Sequence, residues 1–327
     1  MLERSFGARR ILVTGGAGFV GSAVTRRLVD AGGRVTVLDD LFTGKADAVP
    51  TGATLVNGSV TDIQLVNDLV ADHSLVLHLA ARNIIASTAN PLDDFATNIG
   101  GTLNILLAAR ASKVDRVVYS SSASVYGNPR SIPINEDDPL WTLSPYAVSK
   151  LGGENYCTAF SESYGLRVTT VRYSNVYGPG QRPDNPYSGV VSKFMVDAFA
   201  GRPIGVHGDG EQTRDYTYID DAVDATLTAA VHPRAEGEVF NVGTGIETSV
   251  NRLAAAIGEA LGVEVDIQHI DRRDIDNIRR RVVNIEKIRR MLRWTPQWTL
   301  EKGLAETAAW YKASSFARVD RVAENAG

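Results

Sequence analysis

The segment Tyr146 to Lys150 carries two side chains that can move a proton when they lie together. It falls on a predicted helix that Ser144 and Pro145 are suited to start. A spacing of four residues places Tyr146 and Lys150 on one helix face. A free phenol, with a pKa of about 10, is a poor base at pH 7, and a neighbouring ammonium lowers that pKa. The pair predicts general-base chemistry on a hydroxyl, although a Tyr and a Lys on an exposed helix face are also common.

Three hydroxyls end an apolar strand upstream of this pair. Val117 to Ser120 is a predicted strand, and Ser121 and Ser122 follow it. The carboxyl ends of parallel strands are where ligands bind in open α/β sheets. One of these hydroxyls can therefore hydrogen-bond the substrate oxygen that Tyr146 deprotonates.

A glycine-rich turn near the start of the chain indicates a dinucleotide site. Gly15, Gly18 and Gly21 follow the first predicted strand and open the first predicted helix. Glycines in such a turn let a pyrophosphate approach the helix N-terminus, whose N–H groups and dipole favour anions. Asp39 follows about 20 residues on, where a carboxylate accepts both ribose hydroxyls and repels a 2′-phosphate. The combination predicts NAD rather than NADP, and the next carboxylate, Asp40, can also be a solvated turn residue.

Short apolar runs alternate with amphipathic stretches through the first half of the chain. This alternation is typical of parallel strands joined by helices that cover both faces of the sheet. The predicted strands are 10–14, 35–39, 54–57, 75–79, 117–120, 168–172, 204–207, 238–242 and 265–270, and the main predicted helices are 18–31, 91–111, 145–164, 190–200, 220–231, 250–261 and 300–311. We expect an α/β fold, a Rossmann-type doubly wound parallel sheet with a smaller C-terminal substrate-binding lobe.

The pattern changes after Arg172. Prolines and glycines between 178 and 189 mark a long irregular loop, and the strand predicted at 238–242 then returns to the sheet. We therefore expect residues 1–173 plus about 216–244 to form the dinucleotide-binding domain. Residues 174–215 plus 245–327 are expected to form the substrate-binding lobe.

Composition argues against several classes of function. The net charge of −4 does not suit a nucleic-acid binder, which needs clustered Lys and Arg. No run of about 18 apolar residues exists, so we expect no membrane span, and Met1 to Arg10 lacks the apolar core of a signal peptide. The single cysteine, Cys157, excludes an internal disulfide and suits a cytoplasmic protein. The histidines lack the spacing of metal ligands, so no metal is expected.

Motifs along nearly the whole chain resemble the extended short-chain dehydrogenase/reductase family, and within it the nucleotide-sugar 4-epimerases. The matching pieces are Thr14 to Gly21, Leu79 to Ala81, Asn98, Ser120 to Gly127, Tyr146 to Lys150, Arg172 to Pro179, Gly208 to Glu211 and Arg214 to Tyr216. The resemblance implies NAD as cofactor and a UDP-sugar as substrate. It also implies a homodimer that is formed by the helices predicted at 91–111 and 145–164.

The resemblance assigns roles to individual residues. Ser122, Tyr146 and Lys150 match the catalytic residues of the family. The implied cofactor residues are Gly15, Gly18, Phe19, Val20, Asp39, Asp40, Leu41, Thr43, Gly44, Ser59, Val60, Leu79, Ala80, Ala81, Asn98, Ser120, Tyr146, Lys150 and Tyr173. The implied substrate residues are Ser122, Ser124, Tyr146, Asn175, Arg182, Gly189, Val190, Phe194, His207, Arg214, Arg273 and Asn277.

Two positions after the catalytic hydroxyl favour epimerisation. Relatives that dehydrate sugars carry Asp-Glu directly after that hydroxyl, and relatives that decarboxylate nucleotide glucuronates carry a Glu two residues after it. Ala123 and Ser124 occupy these positions and transfer protons poorly. The resemblance therefore implies 4-epimerisation through a 4-keto sugar that is reduced again on its opposite face. A dehydratase, a decarboxylase, a net reductase and a non-catalytic NAD-sensing scaffold remain alternatives.

The prediction of the sugar rests on one loop. Gln181 to Asp184 resembles the loop of glucuronate 4-epimerases, in which the arginine pairs with the C6 carboxylate. Arginine suits that bidentate contact, so the expected reaction is UDP-glucuronate to UDP-galacturonate. Pro186 to Gly189 resembles the general epimerase loop, and Arg182 can also be a surface charge. UDP-glucose and UDP-N-acetylglucosamine therefore remain alternative substrates.

Two regions depart from the family pattern. Ser59 replaces an Asp that often contacts adenine. The stretch from Arg272 to Arg281 holds several arginines where relatives offer one Arg and a Gly-Asp pair to the nucleotide. Arg273 and Asn277 are the candidates here with their register open, and most of the other arginines are expected to be solvated. Arg281 falls near the position that gates sugar size in relatives.

Overall fold

A parallel sheet of seven strands forms the centre of the molecule. The computed structural model describes residues 5–185, 187–272 and 277–314. Its strands are β1 (Arg10–Thr14), β2 (Arg34–Asp39), β3 (Thr54–Asn57), β4 (Leu75–His78), β5 (Arg116–Ser122), β6 (Val168–Tyr173), β7 (Asn175–Tyr177), β8 (Ile204–His207), β9 (Thr213–Arg214), β10 (Tyr216–Tyr218), β11 (Val239–Val242), β12 (Thr248–Ser249), β13 (Ile267–Ile270) and β14 (Arg280–Arg281). The order of the main sheet is β11-β6-β5-β4-β1-β2-β3, with every neighbouring pair parallel. The predicted Rossmann-type parallel sheet is confirmed.

Helices cover both faces of this sheet. They are α1 (Phe19–Asp30), α2 (Ile63–Ala71), α3 (Ile84–Ala89), α4 (Pro91–Asp94), α5 (Gly101–Ala111), α6 (Pro145–Tyr164), α7 (Val190–Phe199), α8 (Ile219–Val231), α9 (Val250–Leu261), α10 (Glu286–Leu292) and α11 (Leu300–Ala313). Alternate strand residues feed two cores: Ile11 and Val13 join the core of α1 and α8, and Leu12 joins that of α2, α5 and α6. None of the helices that the structure describes is long and apolar enough to cross a membrane.

The helix that carries Tyr146 and Lys150 begins and ends where its sequence predicts. The Ser144 hydroxyl accepts a hydrogen bond from the Ala147 N–H at 3.2 Å, and Pro145 occupies the first helical position. Gly165 ends the helix in the left-handed conformation, with φ at +65°. The predicted bounds 145–164 are confirmed, and the cap places Tyr146 in the first turn of α6.

The single helix predicted at 91–111 is wrong in one respect. A π-helical turn, Phe95–Gly100, separates α4 from α5. Asn98 lies in this turn with 1% of its surface exposed, and its Nδ2 donates to Asp94 Oδ1 at 2.6 Å and to the Arg82 carbonyl at 3.1 Å. A π turn inserts an extra residue into a helix, and these buried hydrogen bonds stabilise it here. Apolar periodicity does not reveal such a turn.

Three small sheets lie outside the main one. They pair β7 with β10, β8 with β13, and β9 with both β12 and β14. Their strands come from residues 175–218 and 248–281, mostly within the predicted substrate lobe. One hydrophobic core nevertheless contains residues of both predicted lobes, for example Phe6 and Tyr311. The division of the chain into two lobes therefore stays a prediction.

A buried ion pair fastens α6 to β5 and β6. Arg172 Nη2 lies 2.7 Å from Glu154 Oε2, and the two side chains are 5% and 4% exposed. Arg172 Nε donates to both Glu154 oxygens at 3.0 and 3.1 Å, and the Ser121 hydroxyl on β5 donates to Glu154 Oε1. Arg172 Nη1 donates to the Tyr126 hydroxyl at 2.8 Å. These hydrogen bonds set the position of α6 relative to the strand ends.

Replacing Glu154 with alanine should lower the free energy of unfolding by about 3–5 kcal/mol, because it leaves the Arg172 charge buried without its partner. Urea unfolding measures this loss. Glu259→Ala is the matched control, since its partner Arg252 is exposed, and it should cost about 0–1 kcal/mol. Equal losses in the two variants would contradict a stabilising role for the buried pair.

Candidate active site

Ser122, Tyr146 and Lys150 come together at the carboxyl end of β5. The Ser122 hydroxyl interacts with the Tyr146 phenol and donates to the Ser124 hydroxyl at 3.0 Å. Lys150 Nζ donates to the Ser120 carbonyl at 2.7 Å and lies 6.0 Å from the centre of the Tyr146 ring. The residues that the sequence selects as catalytic therefore share one site.

The lowered phenol pKa expected from the Tyr–Lys spacing is not found. Burial raises the pKa of Tyr146 to about 12, against the lowering effects of the Ser122 hydrogen bond and the Arg281 charge. Burial also lowers the pKa of Lys150 to about 8, although the carboxylates of Asp94 and Glu154 favour its ammonium form. Desolvation disfavours both charged forms, and the amine is engaged by a backbone carbonyl. Burial therefore outweighs the groups that lower the phenol pKa, which are Ser122 and Arg281.

A cleft of about 440 Å³ opens beside β1 and β4, where the strand order of the sheet reverses. The predicted cofactor residues that line it are Gly15, Gly18, Phe19, Val20, Asp39, Asp40, Thr43, Val60, Leu79, Ala80, Ala81, Ser120, Tyr146, Lys150 and Tyr173. Their individual contacts with a cofactor stay predictions.

The glycine-rich turn in this cleft fits a dinucleotide phosphate. Gly15 has φ at +72°, and a Cβ there would lie 2.6 Å from the Ala80 nitrogen. A Cβ on Gly21 would lie 2.0 Å from the Gly15 carbonyl oxygen, so both positions require glycine. Gly18 is the N-cap of α1 and provides no side-chain cap, so the first-turn N–H groups are available to an anion. The turn therefore fits the pyrophosphate of NAD.

Two adjacent carboxylates border the cleft and have different environments. Asp39 is 7% exposed and accepts hydrogen bonds from the Ala17 and Leu41 N–H groups, both at 2.9 Å. Burial raises its pKa, and these two hydrogen bonds oppose the rise. Asp40 Oδ2 lies 2.8 Å from Arg82 Nη2, so Asp40 is held in an ion pair and is not a solvated turn residue. Asp39 is thereby fixed at the rim of the glycine turn.

Some predicted cofactor residues do not line the cleft, namely Leu41, Gly44, Ser59 and Asn98. The Leu41 N–H is taken by Asp39, and Gly44 packs against Ala17, where a Cβ would come within 2.9 Å. The Ser59 hydroxyl pairs with the Thr61 hydroxyl at 2.8 Å, within its own loop. Asn98 is buried, and its amide forms the hydrogen bonds that stabilise the π turn. The contacts of these residues with a cofactor stay predictions.

A second cavity, of about 400 Å³, adjoins the cofactor cleft. It extends from the phenol of Tyr146 to the small sheets. The predicted substrate residues that line it are Ser122, Ser124, Tyr146, Asn175, Gly189, Val190, Phe194, His207, Arg214 and Asn277. Their roles in substrate binding stay predictions.

Arg182 does not line this cavity, contrary to its predicted role. Its Nη1 lies 3.3 Å from Asp47 Oδ1 and its Nη2 lies 3.0 Å from Asp184 Oδ2. Asp184 was part of the motif, but Asp47 lies 135 residues away and no local pattern links it to Arg182. Arg273, the remaining predicted substrate residue, lies outside the described residues.

Several residues of the two walls are not among those selected from the sequence. Arg82 lines the cofactor cleft and directly follows the Leu79 to Ala81 motif, which was the signal available for it. Lys193 lines the substrate cavity one helical turn after Gly189. Arg272, Arg279 and Arg281 also line it, although most arginines of that stretch were expected to be solvated. Arg272, Arg279 and Arg280 are exposed, so among the described residues the expectation that most of these arginines are solvated is confirmed, and the exception is Arg281, which is 5% exposed.

A cofactor cleft and a substrate cavity thus meet at Tyr146. Residues 11–243 match the model of the NAD dependent epimerase/dehydratase family. The chain belongs to this family. It is therefore an NAD-dependent enzyme of the epimerase/dehydratase type.

Relatives of this epimerase/dehydratase match nearly its whole length. A UDP-glucose 4-epimerase from Mycolicibacterium smegmatis is 38% identical over 315 residues, which cover 94% of this chain and 99% of that protein. The structure of a UDP-glucose 4-epimerase from Thermotoga maritima with UDP-glucose has a TM-score of 0.89 at 35% identity, over 93% and 98% of the two chains. A UDP-N-acetylglucosamine 4-epimerase from Methanobrevibacter ruminantium, in complex with UDP-N-acetylmuramic acid, has a TM-score of 0.88 at 31% identity, over 94% and 99%.

Replacing Asp39 with asparagine should weaken NAD binding about tenfold, or about 1.4 kcal/mol, and reduce the preference for NAD over NADP. The reason is that a neutral amide accepts ribose hydroxyls less well and no longer repels a 2′-phosphate. Calorimetric titration of both cofactors measures the change, with Asp47→Asn as a control carboxylate outside the cleft. An unchanged ratio of NAD to NADP affinity would contradict this role for Asp39.

Proposed function

We propose that this epimerase/dehydratase interconverts the C4 epimers of a UDP-sugar. The main support is that Ser122 and Tyr146 line both the cofactor cleft and the substrate cavity. A sugar at that end of the cavity lies beside the phenol that also borders the cofactor. A hydroxyl, a phenol and an amine at such a junction suit reversible oxidation of a sugar hydroxyl.

Each catalytic residue has one task in this reaction. NAD, when bound, supplies the acceptor for the C4 hydride and a positive ring that favours the phenolate. Tyr146 removes the proton from O4 as the 4-keto sugar forms, and returns it when C4 is reduced on the opposite face. Ser122 hydrogen-bonds the same sugar oxygen, and Lys150 places a positive charge near the phenolate.

The composition of the cavity wall supports epimerisation over elimination or decarboxylation. Ala123 is buried and Ser124 is neutral, so neither supplies an acid or a base next to Ser122. Within the described wall, Asp209 is the sole carboxylate, and it is paired with Arg279 at 2.7 Å. A wall without a second proton carrier near Tyr146 favours the reaction that needs one base.

Basic side chains on the cavity wall suit a nucleoside diphosphate. Among the described lining residues the basic side chains are Lys193, His207, Arg214, Arg272, Arg279 and Arg281. Guanidinium groups bind phosphate oxygens through paired hydrogen bonds. We assign the diphosphate to Arg214 and Asn175, and the nucleobase to the pocket beside Gly189, Val190 and Phe194.

The sugar that we propose is a neutral UDP-hexose, plain or N-acetylated. Arg182 contacts Asp47 and Asp184 and does not line the cavity, which weakens the reason for expecting UDP-glucuronate to UDP-galacturonate. The UDP-glucose and UDP-N-acetylglucosamine epimerases among the relatives support the same choice. UDP-glucuronate stays the second candidate because Arg281 lines the cavity and acts electrostatically on Tyr146. A guanidinium near the sugar could pair with the C6 carboxylate of a glucuronate.

We also propose that the enzyme is a homodimer. A stripe of exposed apolar side chains runs along α4, the π turn, α5 and α6, and consists of Leu92, Phe95, Leu107, Val148 and Tyr156. Leu92 is 82% exposed and Phe95 is 59% exposed. Two neighbouring helices with such a stripe suit a second copy that packs the same helices against them.

The single thiol supports a cytoplasmic location, which is part of the same proposal. Cys157 is 2% exposed and lies on the buried face of α6. Burial raises the pKa of this thiol well above its usual value, so the thiol is unreactive. A chain with one inert thiol has no need of an oxidising compartment.

Tyr146→Phe should lower turnover about 10²–10⁴-fold while NAD stays bound, because it removes the base and leaves the cleft intact. Proton NMR of UDP-glucose, UDP-N-acetylglucosamine and UDP-glucuronate measures this, and the neutral sugars should react fastest. Tyr164→Phe, an exposed tyrosine on the same helix, is the control. Epimerisation by Tyr146→Phe at a rate near that of the wild type would refute the assignment.

Leu92→Glu should shift the protein from dimer to monomer, because the charge would be buried in the apolar contact. Sedimentation equilibrium measures the mass in solution. Ile246→Glu, at a position 64% exposed away from the stripe, is the control and should leave the dimer intact. A wild-type protein that sediments as a monomer would rule out the interface.

A further inference from the structure

A buried carboxylate, Asp94, lies beside the catalytic helix and has no part in the reaction described above. It is the last residue of α4, directly before the π turn, and is 3% exposed. Its Oδ1 accepts three hydrogen bonds: from the Ser87 hydroxyl at 2.6 Å, from Asn98 Nδ2 at 2.6 Å and from the Ser149 hydroxyl at 2.8 Å. Burial raises the pKa of Asp94, whereas the Ser87 and Ser149 hydrogen bonds and the Lys150 charge oppose the rise and favour the ionised carboxylate.

The three donors come from three different elements. Ser87 is on α3, Asn98 is in the π turn, and Ser149 is on α6 directly before Lys150. Asn98 Nδ2 also lies 3.0 Å from the Ser149 hydroxyl oxygen. Asp94 thus joins the π turn to the part of α6 that presents the catalytic amine.

Asp94 differs from the neighbouring carboxylates, which are each paired with an arginine. Within the described part of the chain Asp94 forms no salt bridge, whereas Glu154 pairs with Arg172 at 2.7 Å and Asp93 pairs with Arg82 at 2.6 Å. The other titratable groups around Lys150 are His78, Tyr119, Tyr146, Glu154 and Cys157.

Most of these groups are neutral near pH 7. Burial lowers the pKa of His78 to about 3 and raises those of Tyr119 and Cys157 well above their usual values. Asp94 is therefore the nearby negative charge that can stabilise the Lys150 ammonium without being shared with an arginine. The charges of Asp94 and Glu154 both raise the pKa of Lys150.

We propose that Asp94 is a positioning residue for Lys150. Its negative charge stabilises the Lys150 ammonium, and its hydrogen bond with Ser149 holds the residue that directly precedes Lys150 on α6. The catalytic value of this charge rests on the function proposed above for Tyr146 and Lys150. The charge itself acts on Lys150 whatever the substrate is.

Asp94→Asn separates the charge from the hydrogen bonds. The amide keeps an Oδ1 acceptor for the three donors and removes the negative charge. Loss of that charge lowers the pKa of Lys150, and it also lowers the pKa of Tyr146, which Asp94 raises. Both limbs of the pH profile of turnover should therefore move to lower pH, by about one unit.

The experiment compares wild type, Asp94→Asn and Asp93→Asn. Asp93→Asn removes the same charge from the adjacent residue, where Arg82 balances it, and should leave the profile in place. A second readout without substrate is the titration of the Lys150 ¹³Cε resonance, assigned with Lys150→Arg. Its midpoint should fall by about one pH unit in Asp94→Asn alone.

A Lys150 titration in Asp94→Asn that coincides with the wild type would overturn the proposal. Because this readout needs no turnover, it decides the role of Asp94 even if no UDP-sugar reacts, which would instead refute the proposed function. If Asp94→Asn does not fold, Asp94→Ser supplies a smaller neutral acceptor for the same comparison.

Discussion

The buried ion pair between Glu154 and Arg172 is the interaction on which the arrangement of the site depends. Glu154 lies one turn after Lys150 on α6, Arg172 is on β6, and Ser121, which also bonds Glu154, directly precedes Ser122. The side chains of Arg172 and Glu154 are only 5% and 4% exposed, so separating them would leave a buried charge without its partner. The ion pair therefore fixes the position of α6 relative to the strand ends. That position brings Tyr146 beside Ser122 and makes one phenol the border between two cavities.

Burial is what this packing produces at the centre of the site. It raises the pKa of Tyr146 to about 12 and lowers that of Lys150 to about 8. Burial thus disfavours both the Tyr146 phenolate and the Lys150 ammonium. The charges that favour those forms come from outside the pair, from Asp94 and Glu154 for the amine and from Arg281 for the phenol. Basic side chains line the substrate cavity, where they can hold a diphosphate. The sugar end stays without a second acid, which suits a ring that must present both faces to one base.

Most of the fold and the catalytic residues follow from local sequence patterns, because those patterns reflect local physics. The apolar strands, the Ser144 cap and the glycines at 15 and 21 each act over a few residues, and the structure has them as predicted. The errors concern interactions between distant residues. Arg182 pairs with Asp47, 135 residues away. The π turn is stabilised by the amide of Asn98, and the pKa of Tyr146 is set by how much of the fold covers it. None of these features can be read from spacing alone.

The most direct test of the account follows the hydrogen at C4. UDP-glucose with deuterium at C4 is incubated with the enzyme in ordinary water, and the product is analysed by NMR and mass spectrometry. The account predicts that the 4-epimer keeps its deuterium, because the C4 hydrogen leaves and returns as hydride and only the O4 proton passes through Tyr146. Epimerisation with loss of the deuterium to water would mean that C4 is deprotonated instead, and would contradict the account.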